Sequence, residues 1–183
     1  TWPPPNKTRG RSNSKGNTMS TNGTQVTDAG KDTIYRSCLF LDDENWNDFL
    51  ELCDQTFHYA IKAYSPEIRR DMTYFSGNKK ELEVMMGILP MHNTDHSPLK
   101  RHATVYTVDV EEDGENATAV TSLVVYQSMY DGINSHIDAG ENHLFLIGKY
   151  IDKFRMDGDR ARLIDREVGL DTRRLDKGSH YII

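Results

Sequence analysis

The sequence has few cysteines and no long apolar stretch, and each absence narrows the class of protein. Its two cysteines, Cys38 and Cys53, fit no CxxC or zinc-finger spacing. We expect both to be free, buried thiols in a reducing compartment, with a disulfide as the alternative. No apolar run of about 18 residues is present, so no membrane-spanning helix is predicted. The first residues also lack the apolar core of a signal peptide, which favours a cytoplasmic protein.

A strong excess of basic charge is also missing. The formal net charge is −6, which argues against nucleic acid or an anionic membrane as a partner. The local exception is residues 1–30, which are basic and rich in Pro, Asn, Ser, Thr and Gly. Because such a segment buries little apolar surface, it cannot offset its own ordering entropy. The sequence therefore predicts a flexible basic tail over 1–30 and a single domain over 31–183.

Beyond the tail, the spacing of apolar residues predicts helices first and a sheet afterwards. Helices are predicted at 31–41, 42–53 and 79–89, and strands at 57–63, 70–75, 101–110, 117–129, 143–155 and 160–170. Pro90 is expected to end the third helix. Helices followed by an antiparallel meander are typical of an α+β domain.

Three histidines and an aspartate lie close together and raise the question of a metal site. His92, Asp95, His96 and His102 supply the imidazole and carboxylate ligands of a mononuclear iron site. However, prolines bracket the loop and His102 falls inside a predicted strand, so convergence would require the loop to fold back on that strand. We interpret the cluster as a polar loop beside a strand histidine that is hydrogen-bonded in or next to the core.

Other candidate chemistry is weaker. His136 and Asp138 have the HxD spacing of 2-oxoglutarate-dependent oxygenases, but after His180 no arginine follows to pair with the cosubstrate. Nucleophile-elbow, phosphate-loop and dinucleotide motifs are missing. Three tyrosines on predicted strands could line a cavity and transfer protons: Tyr59, Tyr106 and Tyr126. Aromatic side chains at alternating strand positions are more often core residues.

The last fifth of the chain carries the most informative pattern. Gly148-Lys-Tyr-Ile-Asp152, an Asp-Gly hairpin at 157–158, and Arg166-Glu-Val-Gly-Leu-Asp171-Thr-Arg-Arg-Leu closely resemble the small (beta) subunits of Rieske-type ring-hydroxylating oxygenases. The order of the other elements agrees, and the resemblance covers about residues 31–183. Within that family, Gly77-Asn-Lys-Lys-Glu-Leu and Leu89-Pro-Met-His look most like the methanesulfonate monooxygenase branch.

This resemblance implies a fold and an assembly. The fold is a cone, in which N-terminal helices wrap a strongly curved antiparallel sheet, as in nuclear transport factor and scytalone dehydratase. The implied function is that of a non-catalytic, structural small subunit. Three copies assemble with three large subunits, which hold the iron-sulfur cluster and the non-haem iron and are served by a reductase or ferredoxin. No cofactor is then expected in this chain, and neither cysteine has the C-x-H or C-x-x-H spacing of a Rieske cluster. The implied substrate is methanesulfonate or an aromatic acid.

The resemblance also directs attention to charged residues that suit subunit contacts, because the planar arginine fork pairs with carboxylates and stacks on aromatic rings. We predict that six residues lie near a subunit interface: Arg101, His102, Arg166, Asp171, Arg173 and Arg174. A solvated charged edge is the alternative for them. Two other functions stay open, a stand-alone dehydratase or isomerase with a buried Asp/His pair and a small-molecule-binding module. Both require an open apolar pocket inside the cone, which a structural subunit fills with side chains.

Overall fold

The chain folds into three helices and six strands in the residues that the computed structural model describes. These residues are 15–92, 97–129, 137, 139–173 and 181–183. The elements are α1 Lys15–Asp42, α2 Trp46–Leu52, β1 Cys53–Ser65, β2 Arg70–Asn78, α3 Lys79–His92, β3 Leu99–Val110, β4 Asn116–Met129, β5 Glu141–Asp157 and β6 Arg160–Leu170. In this part of the chain, no helix is both long enough and apolar enough to cross a bilayer.

The six strands form one curved, unclosed sheet in the order β2-β1-β6-β5-β4-β3. Four neighbouring pairs are antiparallel, whereas β1 and β6 run parallel. Every pair contains a register irregularity, and such irregularities bend and twist strands. The predicted α+β fold is confirmed. The parallel pair differs from the predicted antiparallel sheet, because alternation along a strand does not reveal the direction of its neighbour.

Helix α1 begins at Lys15, inside the segment that was predicted to be a tail. The composition of that segment is polar, but its last turns pack on the sheet. Val26 is buried, and the Gln25 side-chain amide donates a hydrogen bond to Asp159 Oδ1 at 2.9 Å. Contacts with the sheet thus stabilise helix that the local composition disfavours. Residues 1–14 lie outside the described part, and a flexible tail there stays a prediction.

The core lies between the helices and the inner face of the sheet. Its largest fully buried apolar side chains are Tyr59, Tyr150, Phe49, Phe57, Phe154, Ile34, Ile61, Leu82, Leu123, Leu146 and Leu163. Cys38 and Cys53 are free and buried, as predicted. Pro90 lies within α3, which continues to His92 rather than ending at the proline. Proline lacks a backbone N–H, so near the end of a helix it removes only the one hydrogen bond that it would have donated. The last turn of α3 therefore persists.

Strand β3 changes faces partway along its length. A register irregularity lies between Val105 and Thr107, and an extra residue in a strand reverses the alternation beyond it. Val108 consequently packs against the core, although strict alternation along the strand would place it on the same face as His102, which is exposed. The irregularity decides which side chains of β3 reach solvent.

Candidate functional site

A buried ion pair occupies the inner face of the sheet. Arg166 on β6 and Asp152 on β5 are register partners, and neither side chain is exposed. Arg166 Nε and Nη2 donate to the two Asp152 carboxylate oxygens at 2.7 and 2.9 Å, and Nη1 donates to Ser37 Oγ at 2.9 Å. The guanidinium carbon lies 4.0 Å from the centre of the Tyr150 ring. The partners of the Arg166 guanidinium therefore come from α1 and β5 of the same chain.

The two members of this pair hold each other in the charged state. Burial raises the pKa of the Asp152 carboxyl, and the adjacent Arg166 guanidinium opposes that rise. Burial works against the charge of Arg166, but the Asp152 carboxylate holds the pKa of Arg166 above its ordinary value. A fork-to-fork geometry is that of a guanidinium and an ionised carboxylate. Because both carboxylate oxygens are engaged and shielded from water, Asp152 is poorly placed to exchange protons with a substrate.

A second buried arginine, Arg101, lies near the start of β3 and joins three segments of the chain. Arg101 Nη1 donates to Asp42 Oδ1 at 2.7 Å, and its backbone N–H donates to the same oxygen at 3.1 Å. Its Nη2 donates to the carbonyl oxygen of Ile182 at 2.6 Å. The Arg101 and Asp42 side chains are only 1% and 11% exposed. The arginine thus ties the end of α1 and the segment 181–183 to the sheet.

Residues 181–183 fill the inner space beside the sheet. The Tyr59 hydroxyl donates to the carbonyl oxygen of Ile183 at 3.1 Å and accepts from the backbone N–H of the same residue at 3.0 Å. Ile182 and Ile183 are buried, and burial raises the pKa of Tyr59 to about 12. The cavity next to this segment has a volume of about 90 Å³. Ligand pockets usually start at roughly 300 Å³, so this cavity, as the described residues line it, is too small for a substrate.

A larger groove lies outside the cone, between α1, α2 and the β5–β6 hairpin, with a volume of about 960 Å³. Six of its ten charged side chains form three pairs: Arg36 with Asp32, Arg162 with Asp157, and Arg155 with Asp54. The other four, Asp48, Glu51, Lys79 and Arg160, are two of each sign. The opposite charges in each pair lie within 4.0 Å of each other, so they largely cancel each other's field. The groove is therefore wide but has little net electrostatic preference among ligands.

The outer face of β3, β4 and β5 exposes a group of apolar side chains. This outer apolar patch consists of Tyr106, Tyr126, Leu144, Ile147 and Ile151, each between 38% and 61% exposed. The members are neighbours across the strands, since Tyr126 pairs with Leu144 in the register of β4 and β5. Large exposed apolar patches on a folded chain mark interaction sites.

The structure separates the predicted interface residues into internal and surface positions. Arg101 and Arg166 have their partners inside the chain, so their side chains do not themselves reach another subunit. His102 is exposed on β3, and its ring meets the ring of Tyr126 edge-on, with centroids 5.7 Å apart. The prediction of a histidine hydrogen-bonded in or beside the core is wrong, because His102 takes the outward position of the strand. His102 borders the outer apolar patch.

The remaining predicted residues follow β6. Asp171 is exposed, with its carboxylate 4.0 Å from Lys149 Nζ. Arg173 has a φ of +64° and pairs with Glu67, and the hydrogen bond from Arg173 lowers the pKa of Glu67 to about 2. Arg174 lies outside the described residues. For all six residues, a subunit interface nearby stays a prediction.

Sequence reasoning missed the partners of the buried arginines. Asp152 lies two residues from Tyr150 and from Phe154, and all three are buried. A carboxylate at an inward strand position between two aromatic residues signals a buried pair, because an unpaired charge is rarely buried. Asp42 and Ser37 carried no such signal, since both lie on a helix whose rotation is set by packing.

The structure describes only some of the residues that the sequence suggested as metal ligands. Within the described ranges, no group of three or more His, Cys, Asp or Glu side chains is placed to share a metal ion. The side chains of His92, Asp95 and His96 fall outside the described residues, as do the HxD pair at 136 and 138 and His180.

Comparison with solved structures defines the class of fold. A beta subunit assigned to an aromatic-ring-hydroxylating dioxygenase of Novosphingobium aromaticivorans superimposes with a TM-score of 0.67 at 22% identity, covering 86% of this chain and 96% of that one. A protein assigned as a scytalone dehydratase of the same organism gives a TM-score of 0.56 at 15% identity, covering 83% and 87%. The chain is thus a cone-shaped α+β protein of the kind that the sequence resemblance implied.

Sequence comparison defines the family. The model of the ring hydroxylating beta subunit family matches residues 36–177. The methanesulfonate monooxygenase hydroxylase subunit beta of Methylosulfonomonas methylovora is 53% identical over 156 residues, which is 85% of this chain and 86% of the relative. The 2-aminobenzenesulfonate 2,3-dioxygenase subunit beta of an Alcaligenes species is 30% identical over 152 residues, or 82% and 94%. This chain belongs to the ring-hydroxylating oxygenase beta subunit family.

Proposed function

We propose that this chain is the structural small subunit of a bacterial Rieske non-haem iron oxygenase and holds no part of the oxygenase catalytic centre. The iron-sulfur cluster and the mononuclear iron belong to a large subunit, and three copies of each chain form the assembly in the cytoplasm. A reductase or ferredoxin reaches the large subunit rather than this chain. The observation that carries the proposal is the combination of an interior that the described residues fill with side chains and an exposed apolar outer face.

The filled interior argues for a scaffold over an enzyme of the same fold. The space that a dehydratase, an isomerase or a binding module needs for its ligand holds Arg166, Asp152, Tyr59 and residues 181–183. Arg166 and Asp152 form hydrogen bonds with each other in this space, and the Tyr59 hydroxyl donates to the carbonyl oxygen of Ile183. A carboxylate locked in a bidentate pair stiffens the sheet but offers no free base.

The outer apolar patch supplies a surface for the large subunit. A stable interface buries about 800 Å² on each partner and is built around apolar and aromatic anchors. Tyr106 and Tyr126 have the large amphipathic rings that are enriched at such centres. His102 at the border and Asp171 and Arg173 beyond β6 provide the polar rim.

The substrate of the assembly is a sulfonate, with methanesulfonate as the first candidate. The names of both sequence relatives contain a sulfonate, one alkyl and one aromatic. An aromatic acid is the second candidate, which the dioxygenase relatives support. Because the catalytic iron lies in the partner, this chain influences substrate choice only through the shape of the assembly.

Co-expression with a Rieske-containing large subunit tests the proposal. We expect one peak in size-exclusion chromatography that contains both chains in equal amounts, and we expect iron in that peak but not in this chain purified alone. Stoichiometric iron in the isolated chain, or a lone monomer that oxygenates a substrate, would contradict the proposal.

A matched pair of variants tests the docking face. Ile147→Glu places a charge within the outer apolar patch, whereas Val84→Glu makes the same type of change at an exposed position on α3. An unpaired charge in a buried interface costs several kcal/mol, about 2–5, so we expect Ile147→Glu alone to abolish co-elution at micromolar concentration. Equal co-elution of both variants would place the large subunit elsewhere.

A further inference from the structure

Three side chains on the outer face form a chain of hydrogen bonds away from the outer apolar patch. His58 on β1 lies between Asp165 on β6 and Ser76 on β2. His58 Nδ1 is 3.1 Å from Asp165 Oδ1, and His58 Nε2 is 2.9 Å from Ser76 Oγ. His58 and Asp165 are register partners, and Ser76 lies one diagonal step away on the antiparallel neighbour. The sheet itself therefore fixes the order carboxylate, imidazole, hydroxyl.

The chemistry of the three groups determines where the protons lie. A carboxylate accepts hydrogen bonds and does not donate them, so the Nδ1 of His58 carries the proton that faces Asp165. In the neutral imidazole, Nε2 is then an acceptor, and its partner is the Ser76 O–H. This is the arrangement in which a histidine serves as the general base for a serine nucleophile.

We propose that Ser76, His58 and Asp165 form a nucleophilic site that is acylated by small activated esters. As the bond from Ser76 Oγ to the acyl carbon forms, the hydroxyl proton passes to His58 Nε2 and the ester C–O bond breaks. The leaving alkoxide or phenoxide departs, protonated by His58 or by solvent. Water then attacks the acylated serine and releases the carboxylic acid and the free hydroxyl. Ser76 and His58 are the catalytic residues, and Asp165 is a positioning residue.

The edge of the sheet supplies one donor for the developing oxyanion. β2 is the outermost strand at its end of the sheet, and the backbone N–H of Asn78 donates to Glu81 Oε2 at 2.8 Å instead of to β1. Residues two apart direct their N–H groups to the same side, so the N–H of Ser76 also points off the open edge. One donor replaces the usual two, and each missing donor costs about 10²–10³ in rate. The site is therefore slow and restricted to esters with good leaving groups.

The site is open to small molecules. Ser76 is exposed, and the side chains of His58 and Asp165 are 48% and 32% exposed. The closest other charge is Lys153, whose Nζ lies 4.0 Å from Asp165 Oδ2. A reagent can reach the hydroxyl without any opening of the fold.

A competition between two serines in the unmodified full chain tests the proposal. Ser128 on β4 donates to Asn142 Oδ1 at 2.7 Å, so it is a strand hydroxyl whose partner is an amide oxygen and not a base. The protein is treated with p-nitrophenyl acetate, which acetylates serine, or with a fluorophosphonate, which phosphonylates it with loss of fluoride. The modification of each serine is measured by peptide mass spectrometry. A general base contributes about 10²–10⁴, and we expect Ser76 to be modified at least tenfold faster than Ser128. Equal modification of the two serines would overturn the proposal.

Variants then assign the roles. Ser76→Ala and His58→Gln should abolish the release of p-nitrophenol above background, and Ser128→Ala should leave it unchanged. Asp165→Asn should lower kcat at least tenfold with little change in KM, and should slow modification of Ser76 but not of Ser128. A decrease of both modification rates by Asp165→Asn would show a merely structural effect and overturn its positioning role. The result is independent of whether the large subunit binds, so failure here leaves the proposed function untouched.

Discussion

Replacement of Asp152 by leucine should destabilise the chain far more than loss of an exposed ion pair of the same length. In the Asp152→Leu variant, Arg166 keeps its bond to Ser37 and its contact with the Tyr150 ring but loses both carboxylate bonds. The cation is then buried without a counter-charge. Breaking a buried pair in this way costs about 3–5 kcal/mol, out of a total stability of roughly 5–15 kcal/mol.

Urea unfolding followed by circular dichroism measures this cost. With an m value of about 2 kcal/mol/M, a loss of about 4 kcal/mol lowers the unfolding midpoint by about 2 M. The control is Asp32→Ala, which removes the exposed partner of Arg36, also 2.7 Å away. An exposed pair contributes about 0–1 kcal/mol, so the midpoint of the control should move by less than about 0.5 M.

The double variant Asp152→Leu with Arg166→Met distinguishes an uncompensated charge from a mere loss of contacts. Apolar side chains of similar volume can replace a buried ion pair at little cost, and Ser37 Oγ still donates to the carbonyl oxygen of Ile34 at 2.7 Å. We expect the double variant to recover most of the stability that Asp152→Leu loses. A single variant that costs less than about 1 kcal/mol, or a double variant less stable than the single one, would refute the reasoning.

Two further predictions concern a glycine and a thiol. A methyl group at Gly148 would collide with the carbonyl oxygen of Gly169 on β6, so Gly148→Ala should cost about 1–3 kcal/mol in urea unfolding, whereas Gly169→Ala meets nothing within 4 Å and serves as the control. Burial raises the pKa of the Cys53 thiol from 9.0 to about 12. Above pH 9 the unfolded chain loses this proton while the folded chain keeps it, so the thiol's contribution to stability falls by about 1.4 kcal/mol per pH unit up to about pH 12. The stability difference between wild type and Cys53→Ala should shrink with that slope, and a constant difference from pH 9 to 11 would contradict it.

The strands were predictable because their alternation is strong. In β5, Tyr150 and Phe154 are buried while Ile151 is partly exposed, and this period of two is visible in the sequence. The start of α1 was not predictable in the same way. Its first half is polar, and the surface that stabilises it belongs to strands far along the chain, such as the hairpin at Asp159.

For the candidate site, the sequence indicated which residues are notable but not which side chains they contact. The sequence identified Arg101 and Arg166 as notable, but it did not show that each side chain is buried against a carboxylate from another element. The hydrogen-bonded order of His58 between Asp165 and Ser76 depends on the parallel pairing of β1 with β6. Strand direction leaves no trace in the pattern of a single strand, so this arrangement required the structure.

The position of β6 has a consequence for how the chain is made. β6 lies between β1 and β5 in the sheet, so among the described strands the early hairpin of β1 and β2 has no strand pairing with β3, β4 or β5 until β6 has left the ribosome. Until then, the nascent polypeptide carries two separate pieces of sheet with unsatisfied edges, a state prone to association with other chains. The sheet is therefore completed only once β6 has emerged, and any companion that recognises the completed sheet must wait for that strand.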